Sequence, residues 1–149
     1  MAYLAPEIFA TVVRHTPLVS IDLLVRDREG RLLVGLRRNR PAMGSWFVPG
    51  GRIDKDERLA DAFSRITLAE LGSRFAMEDG RFQGVFEHFY PDNALNTAFG
   101  THYVVLAYEL NVRQELSLPQ TQHTAYRWLS NEEALADPAV HENTKAYCR

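Results

Sequence analysis

The segment from Gly50 to Gly72 constrains the fold of this chain more than any other. Arg58–Leu71 contains neither Gly nor Pro and is followed at once by Gly72, which predicts a helix ending at that glycine. Asp54 is followed three residues later by Glu57, a pattern that resembles a capping box and predicts the start of the helix. The sequence therefore predicts a glycine-rich loop leading into one well-defined helix.

One side of this helix is predicted to face the core, on a wheel of about 100° per residue. Its apolar stripe consists of Leu59, Ala62, Phe63, Ile66 and Ala69. Glu70 falls inside the stripe, where an ionised carboxylate is costly unless it is paired or bound to a metal. Glu70 is therefore a candidate functional residue, and fraying of the last turn into solvent is the alternative. On the polar face, Glu57 and Arg65 predict a structural ion pair.

The rest of the chain divides into strand-like and helix-like segments. Strands are predicted over 18–25, 31–36, 81–90, 101–112 and 125–129, with a hairpin turn at 27–30 and a loop containing a short strand at 39–51. Helices are predicted over 6–15, 131–136 and 140–147. This order predicts one α/β domain over residues 1–149, with a mixed β-sheet sandwiched between α-helices.

Composition excludes several classes of protein. The 149 residues suit one domain, and 46% hydrophobic with 24% charged residues is ordinary for a folded protein. A net charge of −2 gives no bulk attraction to nucleic acid or to an anionic membrane, so neither is expected as a partner. A single cysteine, Cys148, excludes an intramolecular disulfide and is expected to be a surface thiol. With no targeting or spanning segment apparent, we expect a cytoplasmic protein.

The loop and helix together carry a recognisable spacing. Gly51 is followed after five residues by Glu57, after seven more by Arg65, and then by Glu70-Leu71-Gly72. This pattern resembles the Nudix box, whose usual ending is Arg-Glu-x-x-Glu-Glu-x-Gly. Ile66 and Ala69 stand where that ending has glutamates, so only Glu70 remains. The resemblance implies a Nudix fold with one metal ion where the usual box gathers several.

Other segments are similar to one branch of the Nudix family, the GDP-mannose mannosyl hydrolases. They are FATVVRHTPLVSIDLLV, RNRPAMGSWFVPGGR, RITLAELG, FEHFY, THYVVLAYEL and QHTAYRWL. The resemblance implies metal-dependent hydrolysis of GDP-mannose, or of GDP-glucose, to GDP and free sugar by water attack at the anomeric carbon with inversion. It also implies a homodimer, for which the helix at 6–15 is a candidate contact.

The resemblance assigns roles to particular residues. His123, expected in a polar loop before the last strand, would be the general base, because a neutral imidazole can accept a proton from water. The carbonyl of Gly50, the carboxylate of Glu70 and the amide oxygen of Gln122 would hold one Mg²⁺, with Mn²⁺ as the alternative.

Further polar residues are assigned to the substrate in the same way. Arg37 and Arg52 would bind the diphosphate, which guanidinium groups can grip at two points. Tyr103 would donate a hydrogen bond to the diphosphate, and His88 would support the charge of the departing diphosphate. Asp22 would accept hydrogen bonds from sugar hydroxyls.

Some interpretations stay open at this point. Tyr3 or Phe9 could stack on the base, although core packing is the stronger expectation for Phe9. The competing functions are a Nudix pyrophosphohydrolase that attacks phosphorus, and a catalytically silent module that binds a nucleotide sugar. The pyrophosphohydrolase would need the glutamates missing at positions 66 and 69. For the binding module, the loss of these glutamates would reflect decay of a catalytic site that is no longer used.

Overall fold

Residues 4–121 and 123–149 are described by a computed structural model. The strands are β1 (Leu18–Arg26), β2 (Leu32–Arg37), β3 (Trp46–Phe47), β4 (Gly50–Arg52), β5 (Arg81–Tyr90), β6 (Thr101–Asn111) and β7 (His123–Leu129). The helices are α1 (Pro6–His15), α2 (Leu59–Leu71), α3 (Asn131–Ala136) and α4 (Glu142–Lys145), with 3-10 turns at Met77–Asp79 and Ala146–Cys148. None of the helices in the described ranges combines the length and apolar character needed to cross a bilayer.

Within these residues the strands form one seven-stranded mixed sheet with the order β3-β2-β1-β6-β5, while β4 pairs with β1 and β7 with β2. β1 and β6 run parallel over the whole of β1, and the other pairs are antiparallel. A parallel pair among antiparallel ones needs a long crossover, which here includes α2. The expected α/β class with a mixed sheet between helices is confirmed.

The predicted hairpin between β1 and β2 is correct only at its turn. The two strands pair at Arg26 and Leu32 and then diverge. Beyond that point β1 pairs with β4 and β6, and β2 pairs with β3 and β7. The sequence could not reveal this divergence, because the strands that replace the hairpin partners lie far along the chain.

Helix α2 ends as expected but does not begin as expected. Gly72 ends it in the left-handed conformation, with φ of 77°, and donates its backbone N–H to the carbonyl of Leu68. Arg58 is the N-cap and makes no side-chain capping bond. One bond of the predicted capping box is present, since the carboxylate of Glu57 accepts from the backbone N–H of Asp54 at 3.0 Å. It closes a turn before α2 and does not start the helix, so the predicted helix start is wrong.

The buried face of α2 is rotated from the predicted stripe. Leu59 and Ala69 are exposed, whereas Thr67 and Leu71 are fully buried. Ala62, Phe63 and Ile66 are buried as expected and pack on Ile21, Leu23 and Val25 of β1. The wheel counted Ala69 as apolar, but a methyl group gains little from burial and does not fix the orientation of a helix. Glu70 is buried, with 6% of its surface exposed, so the fraying alternative is excluded.

The C-terminal segment covers the opposite face of the sheet. Val140, Tyr147 and Cys148 join a second core cluster with Phe47 of β3 and Leu129 of β7. Cys148 is therefore buried, and its expected place on the surface is wrong. The 3-10 turn packs against the sheet because Tyr147, one residue earlier, is buried in this cluster and bonds to Asp22 of β1.

Candidate functional site

A cavity of about 250 Å³ opens on the sheet face that the C-terminal segment covers. Residues from several strands and from the loop between β2 and β4 line it. Among them are six of the residues singled out in the sequence: Asp22, Arg37, Gly50, Arg52, His88 and Tyr103. His88 and Tyr103 face each other across the β5–β6 pair, so their side chains lie on the same side of the sheet. The topology thus brings together residues that are separated by up to 81 positions in the sequence.

A buried hydrogen-bonded trio forms the floor of the cavity. The hydroxyl of Tyr147 donates to Oδ2 of Asp22 at 2.6 Å and lies 3.4 Å from Nε2 of His88. Burial raises the pKa of Asp22 to about 7, against the lowering influence of the Tyr147 hydrogen bond and of the positive charge on Arg37. Tyr147 was not predicted from the sequence, because nothing at position 147 distinguishes it from a core aromatic residue.

The imidazole of His88 is neutral at neutral pH. Burial lowers its pKa to about 4, and the neighbouring His141 lowers it further. The ring packs edge-on against Phe47 at a centroid distance of 5.9 Å, which helps to explain its burial. His88 therefore enters the site as a neutral hydrogen-bonding group rather than as a cation.

Gly50 and Glu70 meet at the junction of β4 and α2. Oε1 of Glu70 accepts a hydrogen bond from the backbone N–H of Gly50 at 3.2 Å. The neighbouring ladder bonds run from Leu23 N–H to Pro49 O and from Ile53 N–H to Val19 O. Since such bonds alternate along an antiparallel pair, both the N–H and the carbonyl of Gly50 point away from β1, on the side of Glu70.

This junction fits a hard divalent cation. It offers a carboxylate and an unused backbone carbonyl, the oxygen donors that Mg²⁺ prefers. Burial raises the pKa of Glu70 to about 7, while the Gly50 hydrogen bond and Arg37 lower it, so the carboxylate is short of positive partners. Gln122, the third expected ligand, lies outside the described residues. Within the described ranges, no three His, Cys, Asp or Glu side chains group in a way that could hold a metal.

His123 lies at a different place from the one expected. It is the first residue of β7, opposite Arg37 of β2, and only 2% of its surface is exposed, so the expected solvated loop is wrong. Its ring fits into the space left by Gly35, where an added Cβ would lie 2.5 Å from the ring. The side chain is buried because the strand pairing turns it toward β2.

The polar environment of His123 is sparse. Burial, followed by the charge of Arg37, lowers its pKa to about 4. Nδ1 lies 3.5 Å from the hydroxyl of Tyr126, and Nε2 has no hydrogen-bond partner among residues 4–121 and 123–149. The ring is therefore neutral, and its Nε2 is not used by the described part of the protein.

Two arginines, Arg37 and Arg52, and the aromatic ring of Phe9 also line the cavity. The guanidinium of Arg52 lies 5.0 Å from the ring centroid of Phe9, which lines the cavity and is half-buried. The expectation that Phe9 packs in the core is therefore wrong, because its ring lines the cavity and contacts Arg52. Arg37 donates its Nε–H to the carbonyl of Pro41 at 3.3 Å. Tyr3, the other candidate for stacking, lies outside the described residues.

The predicted ion pair between Glu57 and Arg65 is confirmed. Nε of Arg65 donates to Oε2 of Glu57 at 2.8 Å and Nη2 donates to Oε1 at 2.9 Å, a two-point contact. Nη2 also donates to the carbonyl of Arg52 at 2.8 Å. The pair thereby ties α2 to the end of β4, next to the cavity.

Comparison with known protein families identifies the family of this chain. A family model for the NUDIX domain matches residues 16–149. The chain belongs to the Nudix family. Nudix hydrolases generally use divalent metal ions such as Mg²⁺ and bind nucleotide-derived substrates.

Individual relatives agree with this assignment. The low-salt glycan biosynthesis protein Agl8 of Haloferax volcanii is 41% identical over 113 residues, which cover 76% of this chain and 70% of that protein. The MutT protein of Methanosarcina mazei Go1 has a TM-score of 0.73 at 22% identity, with 90% and 92% of the two chains covered. The NUDIX domain of Shewanella oneidensis NrtR, crystallised with ADP-ribose, has a TM-score of 0.63 at 18% identity, with 92% and 84% covered. The two structures show the fold alone.

Proposed function

We propose that this Nudix protein hydrolyses GDP-mannose, with GDP-glucose as the alternative sugar nucleotide, to GDP and the free sugar. In this proposal water attacks the anomeric carbon with inversion, and the protein acts in the cytoplasm as a homodimer of single domains spanning 1–149. The Haloferax volcanii relative is named a low-salt glycan biosynthesis protein, which supports a sugar-containing substrate.

The reduced acidity of the Nudix box is the observation that carries the proposal. Ile66 is buried in the core with 1% of its surface exposed, and Ala69 is exposed on the outer side of α2. Of the three box positions 66, 69 and 70, position 70 alone carries a carboxylate, and Glu70 accepts the backbone hydrogen bond of Gly50. One carboxylate suits one divalent ion, whereas attack on phosphorus by a box with several ions needs more acidic ligands. Attack at carbon removes that need.

The cavity lining supports a diphosphate joined to a sugar. Arg37 and Arg52 both line it and can neutralise charge that grows on the departing diphosphate. Tyr103 has a pKa raised by burial, so its hydroxyl stays protonated and can donate to a phosphate oxygen. Asp22 lies at the floor of the same cavity, where its carboxylate can accept hydrogen bonds from sugar hydroxyls.

In the proposed site, Glu70, Gly50 and Gln122 would hold the divalent ion, and the neutral ring of His88 lies at the cavity floor beside the sugar and the departing charge. When bound, the ion would supply positive charge to the diphosphate oxygens as the bond to the sugar breaks. His123 is the proposed general base, supported by its neutral ring and its unused Nε2. The water oxygen bonds to the anomeric carbon, the carbon–oxygen bond to the diphosphate breaks, and His123 takes the proton.

Isotope tracing tests the proposal. We would incubate the protein with GDP-mannose and Mg²⁺ in oxygen-18 water and analyse the products by mass spectrometry. Unlabelled GDP is the decisive expected product, because free mannose can exchange its anomeric oxygen with water. Proton NMR recorded before mutarotation should show the β-anomer first, as inversion of an α-linked sugar requires.

Other outcomes discriminate the alternatives. GMP and mannose 1-phosphate, with label on either phosphate, would identify a pyrophosphohydrolase and overturn attack at carbon. Metal-independent binding of GDP-mannose without turnover would identify a silent binding module. Turnover that stops with EDTA and returns with added Mg²⁺ would support the metal requirement.

A further inference from the structure

The phenol of Tyr147 joins the C-terminus of the chain to the cavity. Tyr147 lies in the last 3-10 turn, 125 residues from Asp22 in sequence, yet its hydroxyl bonds to that carboxylate at 2.6 Å. Its ring packs edge-on against Phe86 of β5 at a centroid distance of 4.8 Å. Both ends of the side chain are therefore held, which fixes where the hydroxyl can lie.

The direction of the two hydrogen bonds follows from counting protons. A phenol has one proton, and the short contact to Asp22 shows that this proton is directed at Oδ2. Toward Nε2 of His88, at 3.4 Å, the same oxygen can then only accept. A hydrogen bond at this contact requires the proton of the neutral His88 ring to be on Nε2, which leaves Nδ1 as an acceptor.

Asp22 is constrained in a similar way. Oδ2 of Asp22 accepts the hydrogen bond of Tyr147. Oδ1 faces Gly50, where a Cβ would lie 2.7 Å from it. Only a glycine at position 50 leaves Oδ1 this space. Asp22 and His88 both line the cavity, so the two side chains bring acceptor atoms to one floor.

We propose that Tyr147 is a positioning residue that fixes the carboxylate of Asp22 and the Nε2–H tautomer of His88. Tyr147 thereby determines which acceptor atoms the cavity presents to sugar hydroxyls. This inference rests on the proposed function for the nature of the ligand. The arrangement of the three side chains is a property of the free protein and is measurable without a substrate.

The matched variants are Tyr147→Phe and Tyr108→Phe. Tyr108 is also a buried tyrosine, but it packs between Phe63 and Phe82 on the opposite face of the sheet, away from the cavity. Each variant loses one hydroxyl and keeps its ring. Thermal unfolding of both shows whether the change in core stability is comparable.

Nitrogen-15 NMR of the histidine rings is the first readout. In the wild-type protein the His88 signals, assigned with a His88→Gln variant, should show a protonated Nε2 and an unprotonated Nδ1. Tyr147→Phe should convert them to a mixture of tautomers, and Tyr108→Phe should leave them unchanged. A wild-type ring protonated on Nδ1, or signals that do not respond to Tyr147→Phe, would overturn the proposal even if that variant folded poorly.

Kinetics then separate this inference from the proposed function. With GDP-mannose, Tyr147→Phe should reduce kcat/KM by about ten-fold or more, as expected when a hydrogen bond to a charged group is lost. Its affinity for GDP alone, measured by calorimetry, should stay within about two-fold of the wild type, because the arginines are untouched. An equal loss of GDP affinity would indicate a general structural role and would contradict the inference. If no sugar nucleotide is turned over but the tautomer shift occurs, the proposed function fails and the positioning role stands.

Discussion

Oε1 of Glu70 accepts a hydrogen bond from the backbone N–H of Gly50 at 3.2 Å, which joins the last turn of α2 to the first residue of β4. This contact explains why a carboxylate is tolerated on the buried face of the helix. One oxygen is satisfied by the backbone, and the group remains beside a carbonyl that the sheet does not use.

Replacing Glu70 should separate its structural role from its metal-binding role. In Glu70→Gln the amide oxygen can still accept from Gly50, so we expect the fold to be kept. The loss of charge should reduce Mg²⁺-dependent turnover by roughly 10²-fold or more, as for other metal ligands. Activity against Mg²⁺ concentration is the measurement. Glu132→Gln, an exposed glutamate on α3, is the control and should behave as the wild type.

Two neighbouring glycines should differ in their tolerance of a side chain. A Cβ at Gly50 would lie 2.6 Å from the backbone oxygen of Ile21 and 2.7 Å from Oδ1 of Asp22. At Gly51 it would meet only the side chain of Ile66, at 3.1 Å. We expect Gly50→Ala to lower the free energy of unfolding by about 1–3 kcal/mol, and Gly51→Ala by less. Urea denaturation measures both, and equal losses would contradict the role given to Gly50.

Much of the fold could be predicted because local patterns determined it. α1 and α3 have the predicted bounds, 6–15 and 131–136, since a proline and a serine N-cap mark their starts. β5 also runs over the predicted 81–90, because its aromatic and branched residues favour a strand. The divergence of β1 from β2 was not predictable, since it depends on pairings with distant strands.

The site was predictable where the chain is similar to a family and not where packing alone decides. Asp22, Arg37 and His88 came from that similarity, and the fold brings them to one cavity. Tyr147 carries no local signal, because its contact with Asp22 spans 125 residues. The burial of His123 also followed from tertiary structure, since it depends on the space that Gly35 leaves across the β2–β7 pair.

Replacing His123 should slow the chemical step without removing substrate binding. His123→Gln lacks a basic nitrogen, and we expect kcat to fall by about 10²-fold, near the lower end for general bases, because the low pKa makes this ring a weak one. KM should change little, since His123 is not among the residues that line the cavity. Steady-state kinetics with GDP-mannose checks this. A rise in KM with an unchanged kcat would exclude His123 as the base.

The thiol of Cys148 should be unreactive in the folded protein. Burial raises its pKa, against the lowering influence of Arg26 and Arg149, so little thiolate forms at neutral pH. We expect iodoacetamide to modify it slowly in buffer and at the rate of a free thiol in denaturant. Mass spectrometry over time gives both rates. Rapid labelling of the native protein would show that the C-terminal turn does not stay packed.

The Glu57–Arg65 pair should make the protein sensitive to acid. The Arg65 hydrogen bonds, with the Asp54 backbone bond and the Arg65 charge, outweigh burial and lower the pKa of Glu57 from 4.5 to about 2. A lowered pKa in the folded state means that the stabilisation is complete above about pH 4.5 and is lost as the pH falls toward about 2. Glu57→Gln should therefore lower the free energy of unfolding at neutral pH by about 1–3 kcal/mol.

The same variant should also respond less to acid than the wild type, because one carboxylate that must be protonated has been removed. Urea denaturation at a series of pH values from neutral to about 2.5 measures the difference between the two proteins, which should narrow below about pH 4.5. Glu29→Gln, a change at an exposed glutamate in the β1–β2 turn, is the control and should stay within about 0.5 kcal/mol of the wild type throughout. A difference that persists unchanged down to the lowest pH would mean that the pair stabilises α2 by packing rather than by charge.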